Sequence, residues 1–174
     1  MWTSLESPVG PIRVVAHKDA ITAIEFDEPR QAGLSAASSV QRAVARAADR
    51  PVGDRDDTDP LLAEARAQLD AYFARDLKEF DLPVRPDGTP FQLRVWATLA
   101  TIPWGSTMTY GEIARGMGMT GHGSRAVGLA NGRNPVPIVI PCHRVVGADG
   151  AITGYAGGIE RKQTLLSLET EALF

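Results

Sequence analysis

Apolar residues come in short β-branched blocks at the start of this chain and in helical stripes further on. The runs IRVVAH (12–17) and AITAIEF (20–26) are set off by the turn-formers Pro-Val-Gly-Pro and Lys-Asp, which predicts two strands. Residues 28–58 are rich in Ala, Arg, Ser and Asp and contain Pro51 and Gly53; they predict a loosely held connection with a short helix over 36–48. Asp59 before Pro60 marks a helix start. Leu62, Ala65, Leu69 and Tyr72/Phe73 then fall on one stripe, a face for packing and nothing more.

The joint KEFDLPVRPDG (78–88) is punctuated by Pro and Gly and places a domain boundary near residue 88. Beyond it, helix starts are explicit. TPFQ (89–92) and TYGE (109–112) are capping boxes, the first leading into Val95, Trp96 and Leu99 and the second opening a short helix that stops near Gly118. After the TGHG turn, Ser124 is placed to cap a third helix, RAVGLANGR. Two short helices around a Gly-containing turn have the outline of a helix-turn-helix. Ala126, Gly128 and Ala130 let another surface approach that last helix, either a packed neighbour or a ligand. Arg125 stands at its start, where the helix dipole disfavours a cation, and a ligand or nucleic-acid role would explain the placement.

At 174 residues, with 44% apolar and 22% charged, the chain has the make-up of a globular protein with a real core. The start, MWTSLESPVG, has neither a basic nor an apolar stretch, and no run of apolar residues is long enough for a membrane span. One cysteine and three scattered histidines (His17, His122, His143) allow no internal disulfide and are too few for structural zinc, so a cytoplasmic setting and no metal are expected. The net charge of −3 is unevenly spread: residues 1–88 hold eleven basic against sixteen acidic side chains, residues 89–174 seven against five. A polyanionic partner would therefore meet the second half.

PVPIVIP (135–141) predicts a strand ending at the lone cysteine, Cys142. A cysteine there is either core filler or a nucleophile. An ordinary thiol, with a pKa of about 8.5, needs a base. His143 is adjacent in sequence, but neighbouring side chains diverge, so a bridging water is the natural relay. Glu169 is the candidate to orient that histidine. With Leu166 and Ile159 it falls on one face of a carboxy-terminal helix, which points its carboxylate inward, where it needs a partner.

The composite of Asn134-Pro135, IPCHRVVG (140–147) and GYAGG (154–158) closely resembles the methylated-DNA–protein-cysteine methyltransferases, the alkylguanine-DNA alkyltransferases of direct repair. The resemblance covers residues 88–174 and, more loosely, the amino-terminal strands and helix. It implies an α/β (α+β) fold. Residues 1–88 would form a small sheet-plus-helix support domain, and residues 89–174 a mainly helical alkyltransferase domain with a winged or helix-turn-helix DNA-binding motif.

It further implies that Cys142 irreversibly accepts an alkyl group from the 6-oxygen of guanine, and from the 4-oxygen of thymine. His143 would be the water-mediated base, Glu169 its orienting partner, and Asn134 the brace of the surrounding turn. Tyr110 would donate to the guanine N3 edge. Arg125 would enter the stack left by a flipped nucleotide, with Ala126, Gly128, Ala130 and Asn131 on the minor-groove face. Val145, Tyr155, Ala156 and Gly157 would line the purine pocket. The implied partner is double-stranded DNA, with no cofactor and no membrane; the protein would act as a monomer, cooperative assembly on DNA being left open.

Three departures stand out. Ala156 occupies a position where some relatives carry Ser, Asn131 one where a hydrophobic residue is common, and the cysteines of an amino-terminal zinc site are missing. Two alternatives remain: a Cys-His hydrolase, which would turn over, and a non-catalytic binder of alkylated DNA, whose known forms replace the cysteine.

Overall fold

The computed structural model describes residues 1–26, 53–155 and 157–170; the expected helix over 36–48 lies outside them. IRVVAH and AITAIEF form strands β2 (Ile12–His17) and β3 (Ala20–Phe26). The sequence reading missed β1 (Trp2–Leu5), which completes an antiparallel sheet of order β1-β2-β3. The register runs Leu5↔Ile12 and Ile12↔Phe26, with a bulge between Val15 and Ala16. Ile12, Val14, Val15 and Ala16 of β2 are buried, the alternation of a sheet with one covered face being broken next to the bulge. The cover is α1 (Pro60–Phe73), capped by the Asp59 side chain on the Leu62 amide (2.9 Å), with Leu62, Ala65, Leu69 and Tyr72 buried.

The outer edge of β3 is occupied. The Ile21 amide donates to the Pro83 carbonyl (2.8 Å) and the Arg85 amide returns to Ile21 (2.9 Å); further along, the Ile24 amide donates to Pro135 (2.9 Å). An edge that could pair with another chain thus holds the inter-domain joint and the start of the Pro-rich turn. Gly88 ends the joint against α2 (Pro90–Leu99), where a Cβ would stand 2.5 Å from the Trp96 ring.

Both capping boxes are present, Thr89/Gln92 on α2 and Thr109/Glu112 on α3 (Tyr110–Gly116). The third helix, α4 (Gly123–Asn131), begins earlier than expected: Ser124 lies inside it, and His122 takes the cap position without a side-chain bond. The reason is that Gly123 packs into a space with no room for a Cβ, 2.8 Å from Met119 and 3.1 Å from Ala114. Helices α3 and α4 pack as a pair. Short strands β4 (Met108–Thr109) and β5 (Val145–Val146) run parallel, and α5 (Ile159–Thr170) closes the chain. The result is a mixed α/β fold, a small amino-terminal sheet joined to a helical carboxy-terminal domain by one continuous core.

Candidate active site

The turn carrying Cys142 is shaped by prolines. Pro135, Pro137 and Pro141 offer no N–H to a ladder, and the expected strand over 135–141 does not form. The chain makes a tight turn instead, closed by the Pro137–Ile140 bridge and by the Ile140 amide on the Val136 carbonyl (3.0 Å). Ile138, buried inside it, has φ +73°, a region a β-branched residue enters only when its surroundings force it. Asn134 supplies much of that force. Its Oδ1 accepts from the Val136 amide (3.0 Å) and its Nδ2 donates to the Ile140 carbonyl (2.8 Å), spanning both ends of the turn. Cys142 then opens a single 3-10 turn, Cys142–Arg144.

Behind the cysteine lies a buried polar chain. His143 Nε2 is 2.7 Å from Glu169 Oε1. The same carboxylate accepts from Arg144 Nε (2.9 Å) and Nη2 (2.8 Å) and from the Tyr72 hydroxyl (2.8 Å), while Arg144 Nη1 donates to the Ile102 carbonyl (2.5 Å). Burial alone would raise the Glu169 pKa, but the hydrogen bonds from His143 and Arg144 outweigh it and hold the carboxyl at about 2. Burial lowers the pKa of His143 against the opposing pull of Glu169. At neutral pH the pair is therefore an ionised carboxylate and a neutral imidazole. With Nε2–H donating to Glu169, the lone pair rests on Nδ1, an atom buried without a hydrogen-bond partner among the described residues.

Cys142 is 4% exposed. Burial pushes its thiol up to about 11, opposed by Asn134, by the charge of Lys162 and by Tyr155. Resting Cys142 is therefore a thiol, not a thiolate. The Tyr155 hydroxyl is buried beside the thiol and interacts with it.

Two residues of this site escaped the sequence reading. Lys162 is fully buried; its Nζ donates to the carbonyls of Val145 (2.5 Å) and Thr153 (2.8 Å) and stands 5.9 Å from the Tyr110 ring centroid. Burial lowers its pKa and the nearby Cys142 opposes that shift. Its position three residues before Leu165 and seven before Glu169 was the available signal, since these three form the buried stripe of α5. Ile159, expected on that stripe, is 48% exposed. Tyr72, expected only to pack, is the third residue bonded to the Glu169 carboxylate.

Tyr110 begins α3 with its ring against Gly128, where a Cβ would be 3.7 Å away. On α4, Arg125 is exposed and Ala126 and Gly128 are half-buried. Ala130 and Asn131 correct the expectation of a groove-facing role, because each is 3% exposed. The Ala130 carbonyl accepts from Trp96 Nε1 (2.9 Å), and Asn131 Nδ2 donates to the Cys142 carbonyl (3.3 Å). Leu129, 60% exposed, takes the outward position instead. Val145 is buried and Gly157 packs beside Tyr155; Ala156 lies outside the described residues. A cavity of about 630 Å³ lined by Phe80, Trp96, Trp104, Ile138 and Pro141 does not include Cys142 or Tyr155, and the chemistry gives the sulfur side precedence. Among the described residues no helix is long and apolar enough to cross a membrane, and no group of three His, Cys, Asp or Glu is placed to hold a metal ion.

The geometry has close counterparts. Residues 1–86 match the family model for the 6-O-methylguanine DNA methyltransferase ribonuclease-like domain, and residues 90–171 that for the 6-O-methylguanine DNA methyltransferase DNA binding domain. A methylated-DNA–protein-cysteine methyltransferase of Methanosarcina acetivorans is 43% identical over 168 residues, covering 97% of each chain. One of Mycobacterium leprae is 43% identical over 170 residues, covering 95% of this chain and 90% of that one. The crystal structure of Mycobacterium tuberculosis OGT in complex with DNA superposes with a TM-score of 0.76 at 41% identity, covering 97% of this chain and 92% of that one.

Proposed function

The chain belongs to the 6-O-methylguanine DNA methyltransferase family and repairs DNA by alkyl transfer; from that premise we propose that Cys142 is the acceptor, served by the buried relay behind it. The observation that carries this assignment is the lone thiol set one residue before an imidazole whose Nε2 is fixed by an ionised, fully bonded carboxylate. The free Nδ1 lone pair takes the thiol proton through a bridging water. The sulfur forms a bond to the alkyl carbon while the carbon–oxygen bond breaks, and its electron pair stays on the guanine oxygen. Tyr110 donates a proton at N3 and is reprotonated from the imidazolium side, so the thiol proton ends, in net, on guanine. Lys162 lowers the cost of the passing thiolate, and Asn134 fixes the turn that aims it. The thioether has no ready leaving group, and Cys142 is spent. The same displacement applies to the 4-oxygen of thymine.

Because the thiol is 4% exposed, a base within a duplex cannot reach it, and the nucleotide has to leave the stack to meet the sulfur. Helix α4 lies in the minor groove, presenting Arg125 and the half-buried Ala126 and Gly128; Arg125 fills the vacated stack. Residues 89–174 act as the transferring unit and residues 1–88 as its support, the protein working as a monomer.

An Arg125→Ala variant tests this reading. It should slow single-turnover transfer from a methylated duplex by about 10–100-fold, the loss of a few kcal/mol of stacking and phosphate contact, and leave reaction with free 6-O-benzylguanine nearly unchanged. Equal loss on both substrates removes Arg125 from the stack. Failure of the unaltered protein on both substrates removes the function.

A further inference from the structure

The segment that covers the thiol is tied to the amino-terminal sheet by contacts that the relay does not explain. Phe26, the last residue of β3, meets the Tyr155 ring edge-on, with centroids 6.1 Å apart and planes at 61°. The Arg161 guanidinium sits over the same Phe26 ring at 5.0 Å. Arg161 also donates from Nε to the Val9 carbonyl and from Nη1 to the Gly157 carbonyl, each at 2.9 Å. One side chain thus bridges the loop before β2 and the backbone just after Tyr155. Gly157 passes between these groups with no room to spare: a Cβ would stand 2.8 Å from one Phe26 ring carbon and 2.9 Å from another, and 2.9 Å from the Tyr155 ring.

The geometry points to Phe26 and Arg161 as positioning residues for the purine pocket, through which the amino-terminal sheet holds Tyr155 and Gly157 over the sulfur. Neither touches Cys142, His143 or Glu169 in the contacts described above. The relay is anchored separately, by Asn134 within its own turn and by Tyr72 and Arg144 on Glu169. Loosening the clamp therefore weakens capture of the base while sparing the making of the nucleophile. This inference rests on the alkyl-transfer reading and adds a role for residues that reading leaves idle.

The test is single-turnover reaction with rising free 6-O-benzylguanine, beside alkylation of the thiol by iodoacetamide, in the full chain. In Phe26→Ala and Arg161→Met the base concentration giving half the limiting rate should rise about tenfold, the effect of losing one aromatic or cation–π contact with its hydrogen bonds. The limiting rate should change by less than about threefold, and iodoacetamide should react no more slowly. Phe26→Leu and Arg161→Lys, which keep bulk and charge, should recover part of the loss, and they carry the test if a larger change prevents folding. An unchanged half-saturating concentration overturns the clamp, as does an equal fall in limiting rate and iodoacetamide reactivity. An unaltered protein that fails to react with the base sinks the transfer reading instead.

Discussion

Glu169→Gln is expected to slow alkyl transfer by about 10²–10⁴-fold, the range that a positioned acid–base group contributes, while Cys142 stays in place. The variant keeps a hydrogen-bond acceptor for His143 but removes the charge that stabilises the imidazolium formed when the thiol proton arrives. The apparent pKa of Cys142, already raised to about 11 by burial, should rise further, and a pH–rate profile reads this directly. An unchanged profile takes Glu169 out of the relay. The same change leaves the Arg144 guanidinium buried without its counter-charge, which costs about 3–5 kcal/mol.

The pH dependence of stability follows from the same groups. Glu169 binds its proton less readily when folded, so its contribution is complete above the ordinary value of 4.5 and is lost as the pH falls toward 2. His143 is likewise lowered from 6.5; protonation in the unfolded chain weakens the fold as the pH drops below that value. Unaltered protein should therefore lose stability first below pH 6.5 and again below 4.5. Glu169→Gln should be less stable at pH 7 and show a smaller second step, the remainder coming from Asp19, Asp56 and Asp57, which are also lowered in the fold, a difference that denaturant titrations at several pH values resolve.

Cys142→Ala is expected to abolish transfer outright, since no other thiol exists in the chain, while binding to a methylated duplex is kept. Removing one buried sulfur leaves a small void at a cost of about 1 kcal/mol, and the surrounding turn is held by Asn134 and by backbone bonds rather than by the thiol. The variant should therefore fold, and a gel-shift assay with a methylated duplex should give an affinity close to that of the unaltered protein. Residual transfer would identify a different nucleophile.

Local signals in the sequence were legible where one residue type has one physical job. The caps at Asp59, Thr89 and Thr109, the two β-branched strands and the inward Glu169 all belong to that class. What was not legible depends on contacts between distant segments. A strand was expected over 135–141 because its apolar pattern suits one, yet three prolines and a left-handed Ile138 bend it into the turn that aims the cysteine. Ser124 suits a cap, but the helix starts two residues earlier, at Gly123, which packs closely against Met119 and Ala114. Ala130 and Asn131 continue a small-residue pattern along α4, while the helix rotates them toward Trp96 and Cys142. Tyr72 gave no sign of chemistry within its own helix, because its partner Glu169 is ninety-seven residues away. Lys162 was hidden for a similar reason: a lysine on a helix is ordinarily solvated, and the carbonyls of Val145 and Thr153, brought in from distant segments, hold it inside.

The most direct measurement is intact mass analysis of the protein after mixing with an excess of duplex carrying 6-O-methylguanine, followed by peptide mapping. The expected result is a gain of a single methylene equivalent per chain, located on the peptide containing Cys142, with the repaired guanine formed in equal amount and no further turnover. An unmodified protein mass, a modification mapped to another residue, or continued product release beyond one equivalent would contradict the account.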